Sequence, residues 1–250
     1  MSFWFWHGAR NGIRTTGYPA EPERAAGVSP GRPVTTEFSA SGEAEAAAGI
    51  CPTGAIIAEG QTARVDLGRC VYCQRCRTSL SCPMDWRQDY EWTRPGPKFV
   101  PLPGPYRRST HIMVVDAGDC GACLREIKQL NNPFYNMHRL GLFLTATPRA
   151  ADVLLVVGPV SENMRRALLK TYEAMPTPKK VIAVGTCAIA GGVFGRSEMS
   201  AGGVSAVLPV DLEIPGNPPP PLAILHGLLV ATGRKSGAAD GLQTIVEVTA

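Results

Sequence analysis

From residue 111 onward, apolar runs alternate with stretches of helical period. "HIMVVDAG" (111–118) reads as a buried strand, with a helix following near 122–130. "ADVLLVVG" (151–158) is a second apolar strand, and "SENMRRALLKTYEA" (161–174) is an amphipathic helix with Ser161 at its N-cap. "KVIAVG" (180–185) is a third strand and "VLPVDLEIPG" (207–216) a fourth. "PPPLAILHGLLVATG" (219–233) reads as a helix that begins through proline, where a missing N–H costs little, and stops near Gly233. Strands alternating with helices predict an α/β domain whose parallel sheet is covered on both faces.

Upstream the pattern changes. Residues 1–50 are rich in Gly, Pro, Ser and Ala without a sustained period, and read as an extended lead-in. "FWFW" near the start fits a buried N-terminal anchor as well as a surface lying on a partner or a membrane. Thr53-Gly54-Ala55-Ile56 reads as a tight turn into a short strand. Residues 94–106, "RPGPKFVPLPGPY", hold five prolines and two glycines, a composition that favours extended structure and reads as a linker. Trp86 and Trp92 are expected to pack it. The expected division is 1–93, 94–110 and 111–250.

At 250 residues, 44% hydrophobic and 18% charged, the chain can bury a core of one or two domains. The net charge of +4 is spread among acids, as on a solvated surface, so no nucleic-acid partner is expected. No apolar run approaches the roughly 20 residues of a membrane span. "MSFWFWHGAR" lacks the charged start and long apolar middle of a secretion signal, and Arg107-Arg108 is internal, so a cytoplasmic location is expected. Nothing resembles a phosphate loop, a nucleophile elbow or a flavin fingerprint. His7, His111, His138 and His226 carry no ligand spacing and read as structural.

Candidate chemistry lies in the eight cysteines, at 51, 70, 73, 76, 82, 120, 123 and 187. Close pairs in a cytosolic chain of this size point to metal or redox use rather than a disulfide framework. "CVYCQRC" places Cys70, Cys73 and Cys76 at Cys-x2-Cys-x2-Cys, which wraps three thiolates round one face of an iron–sulfur cube. Structural zinc normally uses separated pairs, often with histidine, and no histidine lies nearby. In two-cluster ferredoxins the last cysteine of each run ligates the other run's cluster. Cys51-Pro52 ends such a run here, with Ser41, Ala44 and Ala47 where its first three cysteines would be. Cys51 is therefore expected to complete one 4Fe-4S site with Cys70, Cys73 and Cys76. Five residues lie between Cys76 and Cys82, where a ferredoxin run has three, so Cys82 reads as a free buried thiol.

A second site is expected at the carboxyl edge of the parallel sheet, where ligands bind in open α/β sheets. "DAGDCGACLREI" after the first strand carries Cys120 and Cys123, "GTCAIAGGVFG" after the third carries Cys187, and "IPGNPPPP" after the fourth presents Asn217. Gly118, Gly121, Gly185, Gly191 and Gly192 let backbone approach closely and aim amides at sulfide.

Residues 111–221 resemble the small-subunit family of membrane-bound nickel–iron hydrogenases, of the formate hydrogenlyase type, and the related B-type subunit of complex I. The residues that carry this are "DAGDCGAC", "NNPFYNMHRLGLF", "TPRAADVLLVVGPVSENM", "TYEAMPTPKKVIAVGTCA", "GGVFG" and "IPGNPPPP". "GIRTTGYPAEP" with the cysteine block after it resembles the ferredoxin-like subunit of the same complexes, so the chain reads as a fusion of two neighbouring subunits. The resemblance implies a flavodoxin-like parallel sheet domain preceded by a reduced ferredoxin-like iron–sulfur domain. It implies a second cluster on Cys120, Cys123 and Cys187, with Asn217 where the family has its fourth cysteine. That site could hold a 4Fe cluster with Asn217, water or an outside group on the fourth iron, or a 3Fe cluster, or nothing.

By the same resemblance the chain is a peripheral electron-transfer subunit on the cytoplasmic face of the inner membrane, within an oxidoreductase complex, and has no active site of its own. Implied partners are a hydrogenase-like large subunit, membrane subunits of a complex I-related assembly and a further ferredoxin-like carrier. A docking subunit with a vacant second site is the alternative, and a zinc-binding adaptor the third reading.

Overall fold

The apolar runs form a sheet because each is long enough, and apolar enough on both faces, to be buried twice over. A computed structural model describes residues 3–40 and 42–238. In chain order the elements are α1 (Phe3–Asn11), β1 (Arg32–Pro33), β2 (Thr36–Glu37), α2 (Glu43–Ile50), β3 (Ile56–Glu59), β4 (Thr62–Val65), α3 (Arg75–Thr78) and β5 (Trp86–Arg87). There follow β6 (Arg94–Pro95), β7 (Thr110–Asp116), α4 (Ala122–Gln129), β8 (Leu142–Leu144), β9 (Val153–Val157), α5 (Glu162–Ala174), β10 (Lys180–Val184), α6 (Thr186–Ala190), β11 (Leu212–Ile214) and α7 (Pro221–Ala231), with short 3-10 turns between some of them.

The large sheet has the order β6-β11-β10-β9-β7-β8. All its pairings are parallel except that of β6 with β11. Its five parallel strands follow the flavodoxin-like order 2-1-3-4-5, so the α/β expectation holds. Alternate side chains build two cores. Ile112, Val153, Leu155, Ile182 and Val184 face α4 and α7, while Val115, Leu154, Val156, Val181 and Ala183 face α5 and α6. Every residue of α7 is buried. It can lie so near β11 because Gly227 has no side chain: a Cβ there would stand 2.3 Å from Ile214 Cδ1.

Register aligns the carboxyl ends of four strands. Asp116 pairs with Val157, Val157 with Val184, and Val184 with Ile214. The loops that leave this row start level with one another, which brings together cysteines far apart in sequence.

Upstream, β2, β3 and β4 make a small antiparallel sheet and β1 pairs with β5. The expected extended lead-in is corrected by two helices. One is α1, whose Phe3, Trp4, Phe5 and Trp6 are exposed rather than buried. The other is α2, "EAEAAAGI", where alanines with acids in the first turn favour a helix that has no apolar stripe to advertise it. Ala44 and Ala47 are its buried contacts with the core. Ser41 lies outside the described residues.

The stretch read as a linker is laid against the sheet. β6 is its edge strand, the Gly96 N–H donates to Asp211 O at 2.9 Å, and the Leu102 N–H donates to Ala231 O at 2.8 Å. Proline is tolerated there because an edge strand needs only one row of partners. Strands β6 and β8 went unforeseen because two and three residues show no period. Ser161 is the N-cap residue of α5, but its hydroxyl makes no cap bond. His226 is satisfied by the Thr93 hydroxyl at 3.0 Å and Ser236 O at 3.1 Å.

Arg94 ties the two parts together. Buried in β6, its guanidinium pairs with Asp66, after β4, and with Glu213 of β11. Replacing it with methionine keeps most of the apolar stem, leaves Glu213 unpaired and leaves Asp66 only the more distant Arg69, at 3.9 Å. Both acidic side chains keep 24% exposure, so the expected loss lies at the low end for breaking a buried pair, about 3 kcal/mol. Chemical denaturation of the purified protein measures it.

Candidate metal centres

The first centre is built from two separate pieces of chain. Cys51 is the C-cap of α2, where Pro52 and the turn at Gly54 (φ 60°) end the helix. Cys70, Cys73 and Cys76 come from the loop leading into α3. Its path reverses at Tyr72 (φ 55°) and Gln74 (φ 62°), two non-glycine residues held in the left-handed region. All four cysteines line one recess, together with Thr53, Ile56, Val65 and Trp86. Cys82 is not among its lining residues. It is buried, with Sγ 3.4 Å from Ser79 Oγ.

The thiols differ in character. Burial raises Cys51, but the amides of Thr53, Ala55 and Ile56 and the Thr53 hydroxyl outweigh it, leaving this thiol below its usual range. The Ala55 N–H donates to its sulfur at 3.2 Å. Burial pushes Cys70 up to about 12, and the charges of Cys76, Cys51 and Cys73 add to it. Cys76 is also raised by burial, partly offset by the neighbouring indole of Trp86. Four sulfurs that repel one another as thiolates in a half-buried recess are a site for a multiply charged cation. Among the described residues no three His, Cys, Asp or Glu side chains close to the spacing that holds a single metal ion. A cube asks for a different arrangement, one thiolate on each of four irons around a recess. The donor set, all sulfur and drawn from both pieces of chain, fits that group.

The second centre lies at the aligned strand ends. After β7, the Asp116 carboxylate accepts the N–H groups of Gly118 and Asp119 at 3.0 and 2.7 Å. Asp119 in turn accepts those of Gly121 and Leu124 at 2.9 and 3.2 Å. These two acids set the loop that carries Cys120 and Cys123. Their only sequence signal was the turn-forming "DAGD". Cys187 opens α6 just beyond β10. Burial lifts Cys123 well above the usual thiol range, and the Asp119, Cys187 and Cys120 charges reinforce it. Cys187 is raised by burial, then by Cys120 and Asp119.

Two glycines mark how closely the backbone hugs these sulfurs. A Cβ on Gly185 would stand 2.5 Å from Cys123 Sγ, and one on Gly192 would stand 2.6 Å from Cys187 Sγ. Three thiols with glycine-lined flanks fit an iron–sulfur group on three corners. The fourth corner differs. Asn217 follows β11 in the adjoining loop, but its amide nitrogen donates to Val71 O at 3.2 Å, inside the first cysteine loop.

That bond joins the two centres, and further bonds hold the same parts of the chain together. The Thr186 hydroxyl, beside Cys187, donates to Cys70 O at 2.8 Å and Gly216 O at 3.1 Å. The Trp92 indole donates to Pro215 O at 2.7 Å. Trp92 thus packs the loop after β11 and shares a core with Leu102 of the proline-rich stretch, while Trp86 faces the first recess.

Comparison with known proteins decides the lineage. Residues 120–231 match the family described as NADH ubiquinone oxidoreductase, 20 kDa subunit. A probable membrane-bound hydrogenase subunit of Pyrococcus furiosus is 41% identical over 124 residues, which is 50% of this chain and 74% of that protein. The chain belongs to this family. An uncharacterized protein of Methanocaldococcus jannaschii is 44% identical over 123 residues, 49% of this chain and 82% of the other. Formate hydrogenlyase subunit 7 of Escherichia coli is 38% identical over 127 residues, 51% of this chain but only 50% of that protein. In this member of the 20 kDa-subunit family the matched segment holds Cys120, Cys123, Cys187 and Asn217, and it begins beyond the first recess.

Proposed function

We propose that the chain is an electron-relay subunit of a membrane-bound hydrogenase or complex I-related assembly. In this reading it carries single electrons between a hydrogenase-like large subunit and a further ferredoxin-like carrier. Membrane subunits of the assembly would couple the redox step to ion movement. The relatives named for hydrogenase and formate hydrogenlyase subunits support the assembly. Residues 1–93 would be the ferredoxin-like part, 94–110 the connection and 111–250 the hydrogenase small-subunit-like part. Among the described residues no helix is long and apolar enough to cross a membrane, which is compatible with a peripheral place on the cytoplasmic face.

One observation carries the proposal: Cys51, from a different piece of chain, faces the same recess as Cys70, Cys73 and Cys76. Bound there, an iron–sulfur cluster supplies reversible one-electron storage. The chain's own residues hold it, shield it and shape its potential. Cys51, Cys70, Cys73 and Cys76 would bind the first cluster, and Cys120, Cys123 and Cys187 three irons of the second. The bonds from Thr186 and Asn217 to the backbone of residues 70 and 71 keep the two centres in direct contact. Iron and sulfide analysis with electron paramagnetic resonance tests this, the expectation being roughly eight irons and two signals per chain. A fully reconstituted protein with one signal and about four irons would leave a single working centre.

Asn217, a neutral amide in place of a fourth thiolate, motivates a second reading, a docking subunit whose second centre is vacant. Asn217→Cys separates the two. In a relay, a new thiolate adds negative charge and lowers the second cluster's potential. If spectrum and electron flow are unchanged, the second centre is idle.

A further inference from the structure

Trp86 holds a buried donor with nothing to donate to. Its indole Nε1 is shut off from solvent and has no hydrogen-bond partner among the described residues. Leaving a buried N–H unpaired is costly, so its presence needs a reason. The ring lines the recess of the four cysteines. It is also held firmly. Tyr72 meets it edge to face at 6.4 Å and the Arg77 guanidinium lies 5.7 Å from its centre. Its strand is anchored to the site itself, because the Met84 N–H donates to Cys76 O at 2.9 Å and Pro33 pairs with Trp86 across β1 and β5. Of the cysteine sulfurs in the recess, Cys76 is the one whose thiolate the indole N–H favours as a donor, offsetting part of the effect of burial.

We propose that the Trp86 indole N–H is a tuning donor to the Cys76 sulfur when that sulfur ligates iron, and that it raises the reduction potential of the first cluster. The inference rests on the first cluster of the proposed function. A donor aimed at a ligand sulfur stabilises the added electron, because its positive end faces the growing negative charge. Trp86 is thus a positioning residue with no place among the ligands.

Trp86→Phe keeps the ring and removes the N–H. In the full chain with reconstituted clusters, redox-poised electron paramagnetic resonance should show the first cluster's midpoint shifted to lower potential, with iron content unchanged and the second signal in place. Trp86→His, which restores a ring N–H, should return part of the shift. Equal midpoints in wild type and Trp86→Phe would overturn the inference while leaving the cluster intact. Wild-type protein without the first signal would instead remove the reading beneath it. Should Trp86→Phe fail to hold its cluster, wild type carrying indole-¹⁵N tryptophan provides the test. Pulsed resonance on the reduced first cluster should show a nitrogen coupling, and none would overturn the proposal.

Discussion

Cys51→Ala should strip the first centre of iron, taking about four of roughly eight irons per chain and the matching resonance signal, while the second signal survives. The reason is topological. Cys70, Cys73 and Cys76 sit in one loop and can cover one face of a cube, and among the described residues the one further cysteine that lines the recess is Cys51, at the end of α2. Three features aim Cys51 there. The helix stops at this residue, Pro52 turns the chain away, and the Ala55 amide holds the sulfur at 3.2 Å. Alanine leaves the amide without its acceptor and the recess without its fourth sulfur. The fold should persist, because Cys51 is only half-buried and the small sheet packs through Ala44, Ala47, Ile56 and Val65. Cys82→Ala is the control. It removes a sulfur that is more buried but lies outside the recess, and should keep all the iron. Equal iron in Cys51→Ala and wild type would show that the fourth ligand comes from elsewhere.

Gly185→Ala should empty the second centre and destabilise the protein by ~3 kcal/mol. Its φ of 88° and ψ of 157° lie in a region that is essentially restricted to glycine. Local adjustment is blocked, since the Gly185 N–H donates to Ile214 O at 2.9 Å and the next N–H donates to Gly216 O at 2.8 Å. A methyl group would also stand 2.5 Å from Cys123 Sγ and drive that ligand from its place. Gly60→Ala places alanine at another positive φ, 64°, with nothing within 4 Å of the new Cβ. It measures backbone strain alone and should lose stability without losing iron. Iron content, the second resonance signal and chemical denaturation distinguish the two. Full occupancy of the second centre in Gly185→Ala would show that the Cys123 sulfur tolerates displacement and is not held as described.

The parallel sheet was legible because burial on both faces leaves continuous apolar runs, as in "VLLVV" of β9. Of the first candidate centre, the spacing of Cys70, Cys73 and Cys76 was equally plain, since three cysteines within one loop are a local pattern. The convergence of Cys120, Cys123 and Cys187 could be anticipated from the rule for strand ends, but it is realised by a register that no single strand encodes. Helix α2 stayed hidden because alanines carry helical propensity without a stripe. The edge strand β6 stayed hidden because two residues carry no period.

Taken alone, the amino-acid order determined which residues are candidate sulfur donors, how they are spaced and which kind of sheet the second group of them follows. These are matters of chemical identity, local spacing and periodicity. Only the tertiary structure decided where Asn217 spends its amide, that Thr186 and Arg94 bind the two parts of the chain together, and that an indole N–H waits beside Cys76. Hydrogen bonds and ion pairs between residues a hundred or more positions apart depend on packing, and packing leaves no period in a sequence.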